Sequence, residues 1–273
     1  MCREEYYHFT NDFVFCTVLR RDKELCRRFI EIILGIRVSD IEYVESQDTI
    51  DLSIDSKGIR LDVYVDDGHG TVIDLEMQTT VDSGLARRSR YYQSMIDMSI
   101  LEKGRHYSEL KKSYIVFICM KDPFKAGRAV YSFIRTCRED HSLELNDGTE
   151  TVFINAAGRR DGLDRELESL LDYLRTDEPA SEFTTDIEAV VNEINKDSEW
   201  RKEYMTLSMK FLDKYYEGKA EGIAEGKAEG ITKGFQEAVA SLLNKGIITR
   251  EEAAAELKIP VQQLDDVLGI SRV

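Results

Sequence analysis

Residues 59–78 read IRLDVYVDDGHGTVIDLEMQ. Ile59, Leu61, Val63 and Val65 alternate with Arg60, Asp62, Tyr64 and Asp66, and further on Ile73, Leu75 and Met77 alternate with Asp74, Glu76 and Gln78. A period of two marks strands with one face buried and the other polar. Between them lies Asp66-Asp67-Gly68-His69-Gly70, which is turn chemistry because glycine accepts positive φ without steric cost. The stretch therefore predicts two strands joined by a tight turn. Glu76 and Gln78 point the same way, roughly 7 Å apart along the strand. In a suitable register Asp62 faces them from the neighbouring strand.

Two carboxylates, Asp62 and Glu76, with the Met77 carbonyl beside them, suit a hard cation such as Mg²⁺, which takes oxygen ligands and keeps several waters. Such an ion lowers the pKa of a bound water and offsets charge on a phosphoryl group. Gln78 then stands where it orients the attacking water. The same spacing also describes a plain amphipathic hairpin whose polar face is merely wet, since acids on solvated strand faces are common. Spacing alone leaves both readings open.

Asp62, then Glu76-Met77-Gln78 within IDLEMQ, then ARRSRYYQSMI at 86–96 resemble the PD-(D/E)XK nuclease fold. More narrowly, with the opening TNDFVFCTVL at 10–19, the chain is similar to the Rpn group of recombination-promoting, transposase-like nucleases over about residues 8–155. The wider superfamily usually carries Lys at the last motif position. Here it is Gln78, as the Rpn group is known to have, and a glutamine brings no positive charge to a transition state. The resemblance implies an α/β class with a restriction-endonuclease-like core, a mixed sheet flanked by helices, followed by an all-α region. It implies a metal-dependent DNA endonuclease of bacterial origin that hydrolyses phosphodiester bonds in recombination, mobile-element transfer or defence. Mg²⁺ is the expected cofactor, with Mn²⁺ as a substitute. Asp62, Glu76 and the Met77 carbonyl are the expected ligands, and Gln78 completes the catalytic set. The alternative is a non-catalytic DNA-binding or regulatory protein that keeps the fold, motivated by Gln78 and by the acidity of the chain.

A net charge of −15 over 273 residues argues against a generic nucleic-acid binder. Its distribution matters more. Residues 1–138 hold 22 acids and 21 bases, whereas residues 139–199 hold 18 acids and 5 bases, so the nuclease-like part is near neutral. It carries basic clusters at Arg20-Arg21, Arg27-Arg28 and Arg87, Arg88 and Arg90. On a predicted helix over 85–102, Arg87, Arg88 and Tyr92 are candidate DNA contacts, because arginines and tyrosines beside a metal site suit phosphates, sugars and bases. A half-buried amphipathic helix is the plainer reading of the same spacing. Five cysteines with no C-x-x-C pair fit reduced thiols in the cytosol. The start lacks an apolar leader, and no run is long enough to cross a bilayer, so a cytoplasmic protein with no membrane contact is expected.

Four regions are expected along the chain: a core over 1–160, an acidic helical extension over 161–216, a glycine repeat over 217–234 and a small helical tail over 235–273. In the core, residues 10–34 read as one helix or two, and short strands are expected over 41–44 and 50–54. Ser113–Met120 reads as a strand buried on both faces, and further strands are expected over 130–137 and 151–154. A first-helix acid, Asp12, either assists a metal or favours the helix N-terminus. The repeat EGKAEGIAEGKAEG places glycine at every fourth position from Gly218 to Gly234. Each glycine costs a helix about 1 kcal/mol relative to Ala, so the segment is either a self-associating helix or a flexible tether. The tail, with Thr249 and Glu252 spaced as a capping box, is expected to dock or to help form a homo-oligomer through the C-terminal helices.

Overall fold

In the computed structural model, which describes residues 6–44, 61–80 and 82–268, six strands form one mixed sheet in the order β1-β2-β3-β4-β6-β5. They are β1 (Glu42–Tyr43), β2 (Val63–Asp66), β3 (Thr71–Gln78), β4 (Lys112–Cys119), β5 (Val130–Phe133) and β6 (Thr149–Asn155). The β2–β3 hairpin is antiparallel, with Val63 opposite Leu75 and Tyr64 opposite Asp74. Helix α3 (Leu85–Ile100) carries the chain back so that β4 lies parallel to β3, with Glu76 beside Phe117 and Gln78 beside Cys119. Strand β6 continues the parallel direction and β5 closes the edge antiparallel. This is the α/β architecture that the motif implied. The strand expected over 50–54, with Asp51, and the residues Ile59 and Arg60 lie outside the described residues.

The plainer reading of β3 does not hold. The alternation in β3 predicted a polar face, wet in the plainer reading, yet every residue from Val72 to Gln78 is buried. The reason is tertiary. Leu85, Tyr92, Met95 and Ile96 of α3 pack against Ile115, Phe117 and Cys119, the β4 neighbours of Asp74, Glu76 and Gln78. The polar face thus lies under a helix.

The choice between one and two N-terminal helices falls to two, α1 (Asp12–Arg21) and α2 (Lys23–Leu34). Asp22 separates them in an extended conformation (φ −126°, ψ 103°), and its carboxylate caps α2 by accepting from the Leu25 N–H. Gly35 ends α2 in the left-handed region at φ 64°. Helix α1 packs against β2 and β3. Two further helices, α4 (Arg165–Thr176) and α5 (Glu182–Lys196), bury leucine and isoleucine stripes against α1 and α2.

The chain divides into a unit of residues 1–201 and a second of 202–273. Helix α6 (Ser198–Asn244) begins in the first unit, where Trp200 donates to Thr17 at 3.1 Å and packs on Phe13. The glycine repeat, expected as a self-associating helix or a tether, lies within this helix. In the second unit α7 (Arg250–Glu256) and α8 (Leu264–Leu268) close on α6 around Val239, Ala253, Ala254 and Leu264. The predicted capping box forms: Glu252 accepts from the Thr249 N–H at 2.7 Å and its own N–H donates to Thr249 Oγ1 at 3.2 Å. Among the described residues, no helix is long and apolar enough to cross a membrane.

Candidate active site

The β2–β3 register places Asp62 just before β2, where the ladder ends and Met77 has no strand partner on that side. The Met120 N–H donates to the Gln78 carbonyl at 3.0 Å, so the Gln78 backbone faces β4. Backbone groups alternate sides along a strand, so Met77 turns its N–H and carbonyl toward Asp62. The Met77 N–H indeed donates to Asp62 Oδ2 at 3.0 Å, and the Asp62 N–H donates to Glu76 Oε1 at 3.2 Å. Asp62, Glu76 and the Met77 backbone therefore meet at one point.

Helix α3 supplies the counter-charge. Arg88 ion-pairs through Nη2 with Glu76 Oε2, donates through Nη1 to Gln78 Oε1 at 3.1 Å and through Nε to the Tyr92 hydroxyl at 2.9 Å. Its guanidinium lies 5.3 Å from the centroid of the Phe117 ring. Gln78 is held from its other end, where Nε2 donates to the Thr80 carbonyl at 2.9 Å. Tyr92 is 8% exposed. Tyr92, expected as a DNA contact, thus has its ring largely covered and its hydroxyl bonded to Arg88. Arg87, one residue earlier, is exposed.

Burial first, and then the charge of Asp62, push the Glu76 carboxyl up to about 8, although Arg88 pulls the other way. Burial alone would lower Arg88, but the Glu76 carboxylate and the Tyr92 hydroxyl outweigh it and leave it raised. Desolvation and the mutual repulsion of two acids thus exceed what one guanidinium offsets at Glu76. Asp74, two residues before Glu76 on the same face, is 0% exposed with neither carboxylate oxygen hydrogen-bonded. Burial, then Glu76 and Asp62, hold it well above the usual carboxylate range.

An excess of acid over base in a buried place suits a cation. Among the described residues no group of three or more His, Cys, Asp or Glu side chains is arranged to hold a metal. Asp62, Glu76 and the Met77 backbone, which meet here, would offer two carboxylates and a carbonyl. That fits Mg²⁺, which binds through one or two carboxylates and keeps its waters and substrate phosphates. Asp12 accepts from the Phe13 N–H at 2.9 Å at the start of α1 and adds no third acid.

Two participants were not read from the sequence. Arg20 of α1 donates to the Asp62 carbonyl at 3.1 Å, tying α1 to the turn that carries the motif acid. Asp74 was taken only as a polar-face residue. The signal for it was present in IDLEMQ, where three polar side chains share a face beside a helix rich in apolar residues.

A mixed sheet with two acids meeting at the end of its hairpin defines a nuclease-type α/β core. The description PD-(D/E)XK nuclease family transposase matches residues 9–221, and the chain belongs to that family. Neither a curated protein nor a solved structure matches it.

Proposed function

We propose that the chain is a metal-dependent DNA endonuclease that hydrolyses phosphodiester bonds, with Mg²⁺ as its cation and Mn²⁺ as a substitute. The observation that carries this reading is the meeting of Asp62, Glu76 and the Met77 backbone under Arg88. Asp62, Glu76 and the Met77 carbonyl hold the cation. When bound, it supplies an activated water and offsets phosphoryl charge. Gln78 Oε1, which accepts from Arg88, keeps a second lone pair and orients the water through it. Gln78 has no charge, and the Arg88 guanidinium is the positive group that meets the developing negative charge. Arg87, exposed one residue away, contacts the DNA backbone. Recombination, mobile-element transfer or defence is the setting that family membership supports, and cytosol the expected compartment.

Plasmid nicking by purified protein with Mg²⁺ or with EDTA, beside Glu76→Ala, tests the reading. Cleavage that needs metal and vanishes in the variant is expected.

A second reading has an observation of its own. Glu76 already has two partners, the Asp62 N–H and Arg88, as in a site that has become purely structural. On that reading the chain is a non-catalytic DNA-binding or regulatory protein. It requires metal-independent duplex binding and no nicking under either cation.

A further inference from the structure

Strands β3, β4 and β6 run parallel, so the loops that follow β4 and β6 open at the same end of the sheet as Gln78. Those loops are joined into one piece. Asn155 Nδ2 donates to the Arg128 carbonyl at 2.9 Å, and the Asn155 and Arg159 N–H groups donate to Ala129 at 2.7 Å and Gly127 at 3.0 Å. Gly158 packs directly on the other loop, and a Cβ there would stand 2.3 Å from the Ala129 Cα.

The first loop is also tied within itself. The Asp122 carboxylate accepts from the N–H groups of Phe124 and Lys125 at 2.9 Å, from Gly127 at 2.7 Å and from the Tyr131 hydroxyl at 2.9 Å. Lys125 is held in the left-handed region at φ 57°, a conformation that a side chain with a Cβ adopts only where its surroundings dictate it. The Phe124 ring anchors the loop edge-on against Phe153, 4.9 Å between centroids.

This fixed loop pair presents Lys121, Lys125, Arg128 and Arg159, all exposed. Among the described residues none of the four side chains has an acidic partner. At the far end of the sheet, by contrast, Lys111 pairs with Asp66 and Arg135 with Asp147. The one acid within the first loop, Asp122, is spent on N–H groups and a hydroxyl. Four cations that have no acidic partner among the described residues, in a chain of net charge −15, stand on loops at the motif's end of the sheet.

We infer that this loop pair is a phosphate platform: Lys121, Lys125, Arg128 and Arg159 bind the DNA backbone flanking the bond to be cut. The inference rests on the endonuclease reading above and gives that site its substrate track. Lys121 follows Met120, whose N–H bonds the Gln78 carbonyl, and is the first contact. The Arg159 loop lies two strands from β3, roughly 10 Å at normal strand spacing. A duplex advances 3.4 Å per nucleotide of each strand, so the platform reaches about three nucleotides from the scissile phosphate. The track runs on the β4–β6 side of Gln78, away from the Asp62 edge.

The test is duplex binding by the full chain in EDTA, followed by fluorescence anisotropy across a salt series. The variant carries Lys121→Ala, Lys125→Ala, Arg128→Ala and Arg159→Ala together. A charge-matched control, Lys103→Ala, Arg138→Ala, Arg175→Ala and Lys196→Ala together, removes four exposed cations outside the platform. Each lost phosphate contact lowers the log–log salt slope by about 0.9. The platform variant is expected to lose a slope of about 3.6 and on the order of 10–100-fold in affinity at low salt, with an unchanged melting temperature and an unchanged control. With Mg²⁺, its cleavage rate at saturating DNA stays near wild type while KM rises. A wild-type slope in a folded platform variant, or an equal loss in the control, overturns the platform and leaves the endonuclease reading standing. A wild-type chain that neither binds nor cuts duplex DNA overturns both.

Discussion

Arg88 on α3 grips two side chains of β3 at once, the Glu76 carboxylate by an ion pair and the Gln78 amide at 3.1 Å. Arg88→Ala leaves a buried carboxylate without its counter-charge, which costs about 3–5 kcal/mol where that carboxylate is ionised. Glu76 is held up to about 8, so at lower pH it is protonated and needs no partner. The cost should therefore grow as pH rises through that value. Urea denaturation of wild type and variant on either side of it measures the difference, and a cost independent of pH counts against the ion pair. Arg88→Lys, which has no planar fork, should keep most of the stability and lose cleavage by on the order of 10²–10³-fold.

If the proposed site is right, a cation at Asp62 and Glu76 displaces the proton that burial favours on Glu76. Affinity for Mn²⁺ should rise with pH between the ordinary glutamate range and about 8, and then level off. Calorimetric titration at several pH values reads this directly, and Asp62→Asn and Glu76→Gln should each abolish the binding.

Asp74 is buried beside two other acids with no hydrogen bond. Its folded pKa lies above its unfolded one, so its penalty is absent below the ordinary carboxylate range and grows as pH rises toward the folded value. Asp74→Asn should raise the melting temperature at neutral pH, by an amount equivalent to on the order of 1–2 kcal/mol, and change little in acid. A variant less stable than wild type at neutral pH would show that Asp74 has a partner when folded.

For Asp122 the sign reverses. Burial would raise it, but the N–H groups of Gly127 and Phe124, the Tyr131 hydroxyl and the Lys125 N–H outweigh this and leave it lowered. Its contribution is present above the unfolded aspartate pKa of about 4 and is lost as pH falls through the lower folded value. Asp122→Asn should cost on the order of 2 kcal/mol at neutral pH. The deficit should disappear in acid melts.

Helix α6 exposes Met205, Met209, Leu212, Ile223, Ile231 and Phe235, and no Cβ added at Gly218, Gly222, Gly226, Gly230 or Gly234 would meet another group. Assembly of copies through this helix remains our proposal. Ile223→Lys with Ile231→Lys should then lower the mass seen by sedimentation. A wild-type monomer at high concentration ends the idea.

Much of the core was legible because its signals are local. Alternation, turn glycines and the apolar run before Met120 mark β2, β3 and β4 within a few residues of themselves, whereas Asp62, Glu76 and Gln78 were singled out by the family resemblance, since spacing alone left a plain wet hairpin open. The two N-terminal helices and the glycine repeat were each left between alternatives. An N-cap at Asp22 and the helical state of five glycines are settled by balances of about 1 kcal/mol, which pattern reading does not resolve.

The sequence by itself determined the hairpin, its polar triad and the order of strand and helix, because these depend on side chains two to four positions apart. Only the tertiary structure decided that the triad is buried, that Arg88 bonds both Glu76 and Gln78, and that Lys121 and Arg159 stand at the same end of the sheet as the motif. Each of those depends on residues more than nine positions apart meeting across α3 or across neighbouring strands. Burial, and with it the strength of every charge in the site, is a property of what packs on top.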